Sequence, residues 1–110
     1  MARISNQELF NKLLVATEQE RIDWQPTGVQ DQFTASFGGK WTLIIDKSAA
    51  MPSRPNYWIE LRDSVGQEVL RLTTSDDNRL PELFEMARRY ALKIDKAIID
   101  LMKEIDEQQK

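Results

Sequence analysis

Neither histidine nor cysteine occurs among the 110 residues. Without histidine, no side chain has an unperturbed pKa near neutrality, so the commonest general base is missing. Without cysteine there is no thiolate nucleophile, no disulfide and no thiolate metal site. No apolar run approaches the roughly 20 residues of a membrane span. The start, Met1-Ala2-Arg3-Ile4-Ser5, leads into a polar helical pattern rather than the apolar segment of a secretory leader. Charge of either sign is not in excess: 15 basic and 18 acidic residues leave a net −3, which exerts no general pull on phosphate backbones or anionic membranes. These absences predict a cytoplasmic protein without metal, cofactor, nucleic acid or membrane partner, and not an enzyme.

What is present fits one α+β domain spanning residues 1–110. Ser5 followed by Glu8 makes a capping-box pattern, and Ile4 with Leu9 occupies the staple positions around it. Leu9, Phe10, Leu13 and Leu14 then form a stripe at helical spacing, predicting a helix over 5–19. Residues 20–31, with Trp24, Pro26 and Gly28, read as a connector.

Four alternating segments follow. Their apolar sets are Phe33, Ala35 and Phe37; Trp41, Leu43 and Ile45; Tyr57, Ile59 and Leu61; Leu70 and Leu72. Residues opposite one another across a hairpin share a face, so parity restricts register. Pairing Phe37 with Trp41 sets Ala35 against Leu43 and Phe33 against Ile45, which requires the three-residue loop Gly38-Gly39-Lys40. In the second hairpin, Ile59 opposite Leu70 and Tyr57 opposite Leu72 leave the four-residue loop Asp63-Ser64-Val65-Gly66. Residues 48–55 carry two prolines and read as an exposed loop between the hairpins.

Beyond Asn78 the chain is helical. Leu80, Leu83, Phe84, Ala87, Tyr90, Ala91 and Ile94 form one stripe, continued by Ala97, Ile98, Leu101, Met102 and Ile105. An unbroken helix of this length would run about 43 Å, twice the roughly 20 Å of a six-residue strand. A break near Lys93–Asp95, with Asp95 as N-cap and Ile94 and Ile99 as a second staple, relieves the mismatch. The last four residues, 107–110, read as a frayed polar tail. The predicted fold is a four-stranded antiparallel meander with the N-terminal helix and a C-terminal helix, broken near residue 94 in the favoured reading and continuous in the other, packed on one face.

The Phe33–Ile45 hairpin, Trp24, the strand Tyr57-Trp58-Ile59-Glu60-Leu61 with its Gly66, and Leu83-Phe84-Glu85-Met86-Ala87-Arg88-Arg89-Tyr90-Ala91-Leu92 ahead of Ile94-Asp95 resemble a family of small bacterial proteins with a helix, four-strand, helix order. The resemblance implies that fold and assigns no mechanism.

Candidate sites are few. The outer sheet face should carry Ile44, Trp58 and Val69 among polar residues, with Trp58 opposite Arg71 and Glu60 opposite Val69. Tryptophan and arginine are favoured interface anchors, so Trp58, Arg71, Ile44 and Val69 form the candidate partner-binding patch; the plainer reading is a cation–π pair on a solvated face. Asp76-Asp77-Asn78 lacks the spacing of a calcium loop and reads as a helix cap. Glu85 and Arg89 form a favourable i,i+4 pair. The function expected is protein–protein binding in a regulatory or interaction role, as a homodimer, through the sheet face or the C-terminal helix. The alternative is a carrier or chaperone of peptides or small ligands, similar in size and charge to type III secretion chaperones, whose helix within the strand series this chain lacks.

Overall fold

Short turns and period-two patterning make consecutive strands neighbours, and the computed structural model, which describes residues 5–48 and 56–108, has that order. Its elements are α1 (Asn6–Glu18), β1 (Gln25–Pro26), β2 (Gln32–Phe37), β3 (Trp41–Ser48), β4 (Asn56–Arg62), β5 (Glu68–Thr73), α2 (Leu80–Ala91) and α3 (Ile94–Gln108). The fold is α+β, with an antiparallel sheet in the order β1-β2-β3-β4-β5. The sheet has five strands rather than the expected four. The extra one is a two-residue edge, Gln25 opposite Thr34 and Pro26 opposite Phe33, too short to leave an alternation pattern and placing its proline where an edge tolerates one.

Parity sets the first hairpin. Phe37 faces Trp41, Ala35 faces Leu43 and Phe33 faces Ile45. The Lys40 amide donates to the Phe37 carbonyl at 3.0 Å, and Gly38 and Gly39 take φ of 59° and 70°, which glycine adopts without a Cβ penalty. In the second hairpin the register differs by two residues from expectation. Ile59 faces Leu72 and Leu61 faces Leu70, so the apolar face is kept while every partner changes. The cause is local. The Asp63 Oδ1 accepts the amides of Val65 and Gln67, at 3.0 and 2.9 Å, closing a five-residue loop. Arg62 then pairs with Glu68, which leaves Val69 as an unpaired bulge residue.

At the amino end, the Ser5 Oγ accepts the Gln7 amide at 3.0 Å and caps α1. The staple residue Ile4 and most of the 48–55 loop lie outside the described residues. α1 and α2 lie side by side and run in the same sense: Arg79, ahead of α2, donates to the Asn11 Oδ1 and sits 6.0 Å over the Phe10 ring. Their inner faces and one face of the sheet enclose the core, where Trp24, Phe10, Ile45, Leu80 and Leu83 are the largest fully buried side chains. Phe84 joins the layers, its ring 5.6 Å from Phe33 and 5.4 Å from Tyr57.

The C-terminal helix is two helices. α2 ends as the Leu92 amide donates to the Arg88 carbonyl and the Lys93 amide to that of Tyr90, with Lys93 at φ 52°. α3 begins at Ile94, and its first internal bond runs from the Ala97 amide to the Lys93 carbonyl. Asp95 is therefore inside the first turn instead of capping it, and its carboxylate holds the Arg89 guanidinium. That leaves Glu85 to Arg88, at 3.2 Å, in place of the expected Arg89. Glu107 and Gln108 belong to α3 and do not fray. α3 is not packed on the sheet with the others. The radius of gyration, 16.4 Å, exceeds the roughly 13 Å of a compact chain of this length, and the molecule is 66 Å long.

Candidate functional site

The sheet face away from α1 and α2 is built as three rungs. Gln32, Asp46, Trp58 and Thr73 share one; Thr34, Ile44, Glu60 and Arg71 the next; Ser36, Thr42, Arg62 and Glu68 the third. Trp58 thus stands between Asp46 and Thr73, not opposite Arg71, and Glu60 rather than Trp58 faces Arg71. The two-residue register difference is the reason.

This face is ordered by charge. Glu60 is 5% exposed, and its carboxylate takes the Arg71 Nη2 at 2.6 Å and the Arg62 Nη2 at 2.8 Å. Arg71 also holds Glu68 at 2.8 Å. Asp46 is 8% exposed and receives the Gln32 amide at 3.2 and 3.3 Å. Burial pushes the Asp46 carboxyl above its ordinary value, the Gln32 hydrogen bond opposes that, and the charge of Glu60 reinforces it. Sequence reasoning put Glu60 on this face without placing Asp46 there, and missed the burial of both, because no helix was expected to cover them. Within the face, Trp58 stands beside Asp46 in its rung and the long side chains of Arg62 and Arg71 reach the Glu60 carboxylate.

The four residues expected to bind a partner are therefore unlike one another. Trp58 and Ile44 are half-buried, Arg71 is committed to two carboxylates, and Val69 is 56% exposed on the bulge. Trp58 and Arg71 both line a polar cleft of about 400 Å³, with Ser48, Asn56, Thr73 and Ser75.

Two apolar surfaces stand elsewhere. At the β2–β3 tip, Phe37 and Trp41 point to the core side but remain 36% and 43% exposed, because the helices do not reach the end of the sheet. The larger surface is α3. None of its 15 residues is buried. Ile98, Leu101, Met102 and Ile105 are 45–60% exposed, and with Ile94 they occupy one stripe at i, i+4, i+7, i+8 and i+11. Ile99 flanks it.

Where α3 leaves α2, a groove of about 480 Å³ opens between Trp24, Met86, Tyr90 and the α1 carboxyl end, rimmed by Arg89, Lys93 and Lys96 and by Glu18, Glu20 and Asp95. Burial raises the Tyr90 phenol above its ordinary value, and Asp23 adds to it.

Asp77 serves the turn before α2. Its carboxylate accepts the Arg79 amide at 2.9 Å and binds the Arg79 guanidinium at 2.7 Å, so Arg79 holds the Asp77 carboxyl below its usual range. Among the described residues, no group of three or more acidic side chains is placed to hold a metal ion, and no helix is long and apolar enough to cross a membrane. Comparison with protein-family models, curated proteins and solved structures finds no match.

Proposed function

We propose that this chain is a small cytoplasmic interaction protein that acts by protein–protein binding, as a homodimer, with α3 as its docking element. One observation carries the reading: a 15-residue amphipathic helix with no buried residue. A helix of that length is marginal alone in water, and packing of its apolar face is what normally stabilises it. Exposed contiguous apolar surface of this kind marks interaction sites. The sheet face supports the same reading from the other side, since its buried carboxylates are committed to arginines and an amide and leave no free acid–base pair for chemistry.

Light scattering over a concentration series tests this. The expected result is a mass that rises above the 12.8 kDa of one chain and falls back to it for Ile98→Asp with Leu101→Asp. A wild-type mass fixed at one chain across the series overturns it.

The groove at the α2–α3 junction favours the carrier reading as a second possibility, its volume lying within the range of ligand sites. Because Trp24 lines it, a ligand bound there would change tryptophan fluorescence, and Tyr90→Ala would abolish that change.

A further inference from the structure

We infer that two copies pair through α3 in antiparallel orientation, the basic start of each helix lying against the acidic end of the other; this rests on the docking role proposed for α3. The helix is polar along its length. Lys93 and Lys96 flank its start, the Asp95 between them being held by Arg89 of α2, while Glu104, Asp106 and Glu107 gather at its end, with Lys103 the one basic residue among them. This polarity opposes the helix dipole, which favours cations at the carboxyl end, and the last turn carries none. The acidic end is thus a cost to the helix on its own and is offset when a basic surface lies beside it.

The stripe selects a register. Setting Ile94 opposite Ile105 of the second copy, and Ile98 opposite Leu101, gives four layers with apolar residues on both sides. That arrangement brings Lys93 level with Asp106 of the second copy. Along the flanks, Glu104 faces Ala97 and Met102 faces Asp95, so no like charges oppose. Parallel pairing would bring Glu104, Asp106 and Glu107 against their own copies and crowd the two bodies at one end. An anionic membrane surface is repelled by the same acidic residues. Four half-exposed side chains per helix, with the more buried Ile94, offer on the order of 1,000 Å² for the pair, the lower edge of a specific interface. The dimer is accordingly concentration-dependent.

Charge reversal tests the orientation. Glu104→Lys with Asp106→Lys and Glu107→Lys should weaken dimerisation about tenfold in low salt, less at high salt. Because lysine there complements the dipole, far-UV circular dichroism should show undiminished helix, separating lost pairing from lost folding. Adding Lys93→Glu and Lys96→Glu to the same chain should restore the dimer. The absence of cysteine permits a direct reading too. Ile94→Cys mixed with Ile105→Cys, the pair set opposite across the seam, should form the mixed disulfide in preference to either homodisulfide. Preferential homodisulfides, with dimerisation unmoved by reversal but abolished by Ile98→Asp, would overturn the antiparallel arrangement and leave α3 as the docking element. A mass of one chain at every concentration would overturn both.

Discussion

The Trp24 indole Nε1 donates to the Thr17 Oγ1 at 3.1 Å, with Trp24 fully buried and Thr17 4% exposed. This bond ties the last turn of α1 to the segment that becomes the edge strand. Thr17→Val keeps the volume and removes the acceptor, stranding a buried N–H. We expect a loss of about 1–3 kcal/mol in denaturant unfolding, and a smaller loss for Thr17→Ser, which keeps the hydroxyl. Equal stability of Thr17→Val and wild type would show that the bond contributes nothing.

Glu60 sits where two arginines converge, at 2.6 and 2.8 Å. Both arginines are about half exposed, so solvent already screens them and they do not become buried orphans when the carboxylate goes. Glu60→Gln should therefore cost only about 1–2 kcal/mol. High salt should narrow the difference between variant and wild type, because the charged pairs and not the packing are what has changed.

The register of the β2–β3 hairpin was legible because parity, a Gly-Gly turn and three apolar pairs all agreed. The β4–β5 register was not, because parity admits shifts of two, and the deciding contacts are the Asp63 carboxylate on two loop amides and the bulge at Val69. The pairing within the candidate patch changed at the same point: Trp58 and Arg71 were set opposite by a register that keeps every face and moves every partner. The break before α3 was legible from the mismatch between helix and sheet length. Its mechanism was not, since Lys93 with positive φ, not an Asp95 cap, makes the turn. Asp46 and Glu60 gave no sign of burial, because flanking side chains on an uncovered face leave no periodic signal.

Asp46 gives the sheet face a pH dependence. Its unfolded carboxyl loses its proton near 3.8, and burial moves the native value upward. Between the two the native state binds more protons, so this group's contribution to stability falls as pH rises through that window and stays lower above it. Asp46→Asn should be more stable than wild type at neutral pH, and the gap should close as pH falls to 3.8. Asp77, held down by Arg79, acts with the opposite sign: its contribution is present above 3.8 and is lost as pH falls through its native value. Trp58 stands directly opposite Asp46, close enough to shield it. Trp58→Ala should bring the Asp46 titration, followed by NMR, back toward its ordinary value; an unmoved titration would show that the indole is not the cover.

Lys93 carries the turn between α2 and α3 at φ 52°, a left-handed conformation that costs a non-glycine residue roughly 1–2 kcal/mol. Glycine at this position removes that cost but adds chain entropy to the unfolded state, which offsets part of the gain. Lys93→Gly should thus stabilise by about 0.5 kcal/mol, measured by denaturation at protein concentrations low enough to keep the chain monomeric. Lys93→Val should destabilise by about 1 kcal/mol, because a β-branched side chain tolerates positive φ least. If instead glycine destabilises by about 1 kcal/mol, as it does inside a helix, and valine is neutral, residue 93 is helical and α2 and α3 form one continuous rod.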